Sequence, residues 1–162
     1  MTRQIKARPL TPSEFSHFGV VLECDGAPDK LINAGQCGRV HDLAALDFVP
    51  GGRAGISLFD AVPRSFPYTL DLLERHPEGS QAFLPMTQNP FLVIVAPDEG
   101  GRPGTPLAFL TRPGQGVNYA RGCWHGVLAP IHAPGLFAVV DRIGETPNLE
   151  EFALDPPYIV VP

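Results

Sequence analysis

Apolar residues along this chain come mostly in short runs that are cut off by Gly, Pro, Asn or Asp. The runs are "VVLEC" (20–24), "GISLFDA" (55–61), "SQAFLP" (80–85), "FLVIVA" (91–96), "LAFLT" (107–111), "WHGVLAPI" (124–131) and "LFAVVDR" (136–142). Runs of this length between turn-forming residues predict strands, and so many of them with little helix predict an all-β sandwich or small barrel. "LTPSEF" is the one clear helical start: Thr11 is placed to cap, Pro12 suits the first helical position, Glu14 completes a capping box, and Leu10 is placed to staple onto Phe15. Gly19 stops this helix after one or two turns. The polar stretch 97–106 between two runs reads as a solvent-exposed hairpin loop, and the proline-rich close of the chain, 145–162, is expected to wrap the domain surface or a partner subunit.

The segment "YTLDLLERH" (68–76) suits either a helix or a strand. The strand is preferred. It would place Leu70, Leu72, Glu74 and His76 on one face and Leu73 and Arg75 on the other. The "PEGS" that follows would then turn the chain and return Gln81 and Phe83 beside it.

With 162 residues, 44% of them hydrophobic and 18% charged, there is apolar material for one core, so residues 1–162 are read as a single domain. Nineteen prolines and seventeen glycines, spread without a period, fit many short elements joined by tight turns. A formal charge of −5, with no run of basic residues, argues against nucleic acid. Cys24, Cys37 and Cys123 are an odd number without a CxxC pair, which predicts neither a disulfide framework nor a structural zinc site. The N-terminus has no apolar stretch of signal-peptide length, and "FLVIVA" is too short to cross a bilayer. The expected location is the cytoplasm, without a membrane partner.

Two stretches interrupt the core pattern with polar residues. "LERHPEGSQAFLPM" (73–86) carries Glu74, Arg75, His76 and Gln81. "GVNYARGCWHGVL" (116–128) carries Asn118, Tyr119, Arg121 and His125 around Gly116 and Gly122. Gly122 permits a left-handed turn that lets His125 enter a strand with its ring directed inward, so that Glu74, His76, Gln81 and His125 converge. Bland assignments stand for other residues. His17 and His132 read as surface groups, Tyr119 and Trp124 as packing, Asn118 as a turn former, and Cys123 as a small buried hydrophobe. Arg121 and Arg142 are open to ion pairs with Asp141 or Asp60, and His41 is open to capping a turn with Asp42. The glycines of "DEGGRPG" lack the order of a phosphate-binding loop.

Glu74, His76 and Gln81 stand at the spacing ExHxxxxQ, and Ala120, Gly122 and His125 at AxGxxH. Both resemble degenerate forms of the two cupin motifs, HxHxxxxE and PxGxxH. Taken together, "RVHDL" (39–43), "LERHPEGSQAFLPM", "QGVNYARGCWH" (115–125) and "VVDR" (139–142) resemble the ureidoglycolate lyase family, also called ureidoglycolate hydrolase, over most of the chain. The resemblance implies a cupin-type double-stranded β-helix, a jelly-roll-like barrel with a short N-terminal helix. It also implies a homodimer and the splitting of ureidoglycolate into glyoxylate and urea in allantoin and purine degradation. A divalent metal such as nickel is implied as a cofactor.

Ureidoglycolate bears a hydroxyl, a carboxylate and a urea nitrogen on one carbon. Its cleavage needs a base for the hydroxyl proton and an acid for the departing nitrogen. His76 and His125 are expected at the reacting centre, with Glu74 as base or as the orienting partner of an imidazole. Gln81 suits the urea group. Arg121, then Arg142, suits the carboxylate, while Tyr119 and His41 complete the candidate substrate contacts. The candidate metal set is His76, His125, Glu74 and Gln81, with a metal-free acid/base site as the competing mechanism. Two further readings stay open at this point: a metal-dependent cupin of another specificity, such as an isomerase or dioxygenase, and a non-catalytic cupin that binds a small carboxylate.

Overall fold

The structure is a computed structural model that describes residues 3–162. Its elements follow in order β1 (Arg3–Pro9), α1 (Pro12–Phe15), β2 (Gly19–Leu22), β3 (Lys30–Ile32), β4 (Cys37–Arg39), β5 (Arg53–Asp60), β6 (Tyr68–Arg75), β7 (Gln81–Pro85), β8 (Phe91–Ala96), β9 (Leu107–Leu110), β10 (Gly116–Tyr119), β11 (Trp124–His125), β12 (Ala129–Pro130), β13 (Leu136–Ile143) and β14 (Glu150–Val161). One sheet has the order β11-β6-β14-β1-β9-β8-β12, and a further pairing of β11 with β8 closes it into a ring. The second sheet, β2-β10-β7-β13-β5, is open, and β3 and β4 form a separate hairpin. The architecture is all-β with a closed barrel, as a cupin-type fold requires.

Two apolar clusters hold this arrangement together. The first draws on the strands of the ring and fills it: Leu70, Leu73, Leu92, Ile94, Ala96, Ala108, Trp124, Leu154 and Val160, with Ile5 and Ala7 packed alongside. The second lies between the ring and the open sheet. It joins Phe91, Val93, Val95 and Phe109 to Phe83, Val117, Tyr119, Phe137 and Val139, and Leu10 and Phe15 close one side. Strand β8 therefore serves both clusters, with alternate side chains directed each way. Buried at every position, it has no solvent face, and "FLVIVA" is accordingly apolar without interruption.

The helix start behaves as its sequence predicts. The Thr11 hydroxyl accepts a hydrogen bond from the Glu14 backbone N–H at 3.4 Å, and Leu10 and Phe15 are buried in the same cluster. Segment 68–76 is a strand over Tyr68–Arg75, and 97–106 is the exposed connection of the antiparallel β8–β9 pair.

Other expectations are corrected. The proline-rich close is not a surface wrap: Glu150–Val161 is the longest strand and sits between β1 and β6 inside the ring sheet. The turn at "PEGS" makes no hairpin, because β6 pairs with β11 and β14 whereas β7 pairs with β10 and β13. The chain crosses from one sheet to the other there, so β6 and β7 face each other instead of lying side by side. Leu70 joins Leu73 inside the ring, which simple alternation does not allow, and the β6–β14 register shifts beside it, between Ala153 and Tyr158 of β14. The run 124–131 divides into two short strands, β11 and β12. Asn118 is a buried residue within β10, paired with Ala82 and Val20, and not a turn former.

Candidate functional site

Alternation along β6 and β11 builds one wall of the site. Glu74 and His125 are register partners, and His125 also pairs with Val95 of β8. All three therefore point out of the ring toward the open sheet, while their neighbours Leu73, Trp124 and Ala96 fill the ring. The open sheet supplies the opposite wall. Tyr119 pairs with Gln81, and Gln81 with Asp141, so the three residues form one row. That row continues the face that carries Val117, Phe83 and Val139 deeper in the cluster. His76 follows β6 directly, and its carbonyl accepts the N–H of Gly122 at 2.9 Å. Gly122 has φ +75, a left-handed conformation that favours glycine, and this turn sets the entry angle of Trp124 and His125.

These elements bring the two imidazoles to a ring-centroid separation of 5.2 Å. The ring of Tyr119 stacks flat on His125, 4.3 Å away at an interplanar angle of 7°, and fixes its plane. Each histidine places Nδ1 against a backbone carbonyl, His76 at Asn148 (2.7 Å) and His125 at Gly126 (2.9 Å). A carbonyl only accepts, so Nδ1 carries a proton in both rings, and in the neutral form of either ring Nε2 is a free lone pair. Both Nε2 atoms are buried without a partner.

Burial dominates the electrostatics. It pushes the His125 imidazole down to about 3, opposed by the Gly126 carbonyl and reinforced by His76, so His125 is neutral at ordinary pH. Burial also raises the Glu74 carboxyl above its usual range, against the pull of His76 and with help from Glu151. The Tyr119 hydroxyl is raised by burial and stays protonated. Burial lifts the Cys123 thiol to about 12, in keeping with a packing role and no nucleophilic one.

One donor atom from each of Glu74, His76 and His125 lies within 4.8 Å of the others. Two imidazoles and a carboxylate suit a divalent ion. The unpartnered Nε2 atoms, each backed by an Nδ1–carbonyl bond, have the arrangement that metal-bound histidines usually show. The residues present therefore fit a divalent metal. Gln81, the fourth member of the sequence-derived set, is buried and presents an unpartnered Oε1.

The arginines and His41 are placed differently from expectation. Arg121 pairs with Asp47 at 3.3 Å and lines a groove of about 330 Å³ with Asn118 and Ser80, on the far side of β10 from Tyr119. Arg142 is buried on the face of β13 opposite Asp141. It binds Glu78 (2.9 Å), the Val49 carbonyl (3.1 Å) and Thr146 (3.4 Å), and so braces the loops around the mouth. Neither pairs with Asp141 or Asp60. Arg75 lies over the Trp124 ring and binds Asp98 and Glu150. His41 is exposed in the loop after β4, its backbone N–H bound to Asp29. Asp141 is the residue that sequence reasoning missed as part of the wall. Its signal was a carboxylate at an inward position of the apolar run "LFAVVDR".

The chain as a whole is similar to known proteins. The ureidoglycolate lyase family model matches residues 2–161. A ureidoglycolate lyase of Rhodobacter capsulatus is 60% identical over 157 residues, covering 97% of this chain and 98% of that protein. Ureidoglycolate lyase 2 of Rhizobium meliloti is 54% identical, with 94% of each chain covered. A ureidoglycolate lyase of a Chelativorans species is 53% identical over 96% of this chain and 95% of its own length. With a closed all-β barrel, two facing imidazoles beside a buried carboxylate, and relatives matched end to end, the chain belongs to the ureidoglycolate lyase family.

Proposed function

We propose that the chain cleaves ureidoglycolate to glyoxylate and urea, a C–N lyase reaction of allantoin and purine degradation. The observation that carries the site assignment is the pair of bare, buried Nε2 atoms on rings 5.2 Å apart, with Glu74 beside them. The family membership supports the substrate. Isomerase, dioxygenase and purely binding readings are not favoured.

The reaction moves one proton and consumes no water. Glu74 takes the hydroxyl proton, the C–O bond becomes a carbonyl as the C–N bond breaks, and the departing nitrogen receives the proton back. A carboxyl raised by burial suits this exchange, because it holds and releases a proton closer to neutral pH than an exposed one. His125 is too weak a base when buried to act as the acid, so it serves as a fixed lone-pair donor. His76, next to it, completes the pair. The wall offers mainly acceptors to an anionic substrate, since Arg75, Arg121 and Arg142 are engaged elsewhere. A divalent metal held by His76, His125 and Glu74, with Gln81 near, would supply the positive charge that the substrate carboxylate and the developing alkoxide need.

The same reading makes the chain a cytoplasmic homodimer of one cupin-like unit over residues 1–162, without nucleic-acid or membrane partners. No described helix is long and apolar enough to cross a membrane. The edge strand β5 exposes Ile56 (78%) and Leu58 (65%), a surface suited to a second copy. Sedimentation of the purified protein tests the dimer. Incubation with ureidoglycolate, following glyoxylate and urea, tests the activity: release at the spontaneous rate, both as purified and with added nickel or manganese, overturns it. Elemental analysis and assay after chelation separate the metal-dependent mechanism from the metal-free one.

A further inference from the structure

Beyond the imidazoles, the open sheet presents a second unsatisfied group. Gln81 Nε2 lies 3.2 Å from Asp141 Oδ2. An ionised carboxylate only accepts, so this contact sets the orientation of the Gln81 amide with its N–H toward Asp141. Two oxygens are left over, Gln81 Oε1 and Asp141 Oδ1, and both are buried with no partner. Gln81 itself is 6% exposed. Adjacent strands bring the two residues side by side, in the row that ends at Tyr119 and so at His125. Buried acceptors without donors are disfavoured in folded proteins and mark a place where a ligand's donors belong.

We propose that Asp141 is a specificity-determining residue of this site: with Gln81 it forms a paired acceptor that takes the N–H groups of a ureido arm. This rests on the function proposed above. A ureido group offers N–H donors on both nitrogens, whereas glyoxylate and simple 2-hydroxy acids offer none there. The negative charge of Asp141 also turns the substrate carboxylate away, toward the imidazole side, so the pair sets the direction of binding. The substrate class this selects is N-carbamoyl 2-hydroxy acids over 2-hydroxy and 2-oxo acids.

The test uses Asp141→Asn. Asparagine keeps the shape and still accepts from Gln81, but it turns an N–H₂ toward the ligand in place of the carboxylate oxygen. Ureidoacetate, which lacks the hydroxyl and so is not cleaved, probes binding by calorimetry, and glyoxylate serves as the control without N–H groups. D141N is expected to bind ureidoacetate about tenfold or more weakly, to bind glyoxylate as well as or better than the unaltered protein, and to raise KM for ureidoglycolate more than it lowers kcat. Unchanged ureidoacetate binding, or equal weakening of both ligands, overturns the proposal. If D141N does not fold, Gln81→Met is read by the same ratio of ureidoacetate to glyoxylate binding. An unaltered protein that binds ureidoacetate without cleaving ureidoglycolate would sink the lyase assignment and leave the acceptor pair standing; normal cleavage with an unaltered ratio in the variant would do the reverse.

Discussion

The interior of the ring and the space between the two sheets share the strands β6, β8 and β11 yet differ in kind. At three places, neighbouring residues divide between them: Leu73 and Glu74, Ala96 and Val95, Trp124 and His125. The ring is closed by hydrogen bonds all round and is filled by aliphatic and aromatic side chains, so a polar group there would find neither water nor a partner. Among the described buried residues of its cluster, Trp124 carries a polar side-chain atom, Nε1, which reaches out to Asp98 at 2.9 Å. The inter-sheet space is apolar at its base and polar at one end, where Glu74, His76 and Asp141 are partly exposed and Gln81 and His125 are buried beside them. Titratable groups held half out of water in this way are the kind that functional sites use. The difference teaches that one strand can hold a structural and a chemical role at consecutive residues, because alternation separates their environments.

The division is tested most sharply at the mouth. His76→Ala and His125→Ala are each expected to lower turnover at least about a hundredfold, the scale of a side chain lost from the reacting centre, in a steady-state assay with ureidoglycolate. Near-normal rates in both would break the distinction. Trp124→Ala, one residue away, is expected to lower stability by about 3–5 kcal/mol in denaturant unfolding. Activity per folded molecule should survive better than in His125→Ala; the opposite ranking would mean that the ring and the site are not separable.

The third test is pH. The folded value of His125 is about 3, against about 6.5 for an unfolded histidine. Between those values the unfolded chain holds more protons, so chelator-treated protein should lose stability as pH falls from about 6.5 toward 3, at up to about 1.4 kcal/mol per unit. Glu74, raised by burial, takes its proton first in the folded state and works in the opposite direction. His125→Gln should flatten the profile measured by urea unfolding across that window. The smallest effect is expected at Cys123. With its thiol pushed up to about 12, it should resist iodoacetamide near pH 8, and Cys123→Ala should keep near-full activity; rapid alkylation with loss of turnover would bring it into the site.

Much of this was legible in the residues themselves. Short apolar runs bounded by turn formers announced strands, Thr11-Pro12-Ser13-Glu14 announced the helix start, and Glu74, His76, Gln81 and His125 stood out because polar groups interrupted core patterns. Those signals are local: each depends on periodicity or on the chemistry of a few neighbours. Other features were not local. The strand character of Glu150–Val161 was masked by its prolines and is supported by pairing with β1, at the other end of the chain, and with β6, near its middle. The partners of Arg121 and Arg142, Asp47 and Glu78, lie far away in sequence. The sequence by itself marked Glu74, His76, Gln81 and His125 as polar interruptions of a core pattern and determined the type of element that bears them. Only the tertiary structure decided which side chains meet, that Asp141 joins them, and that the arginines do not, because long-range register and sheet crossing fix the face each residue shows.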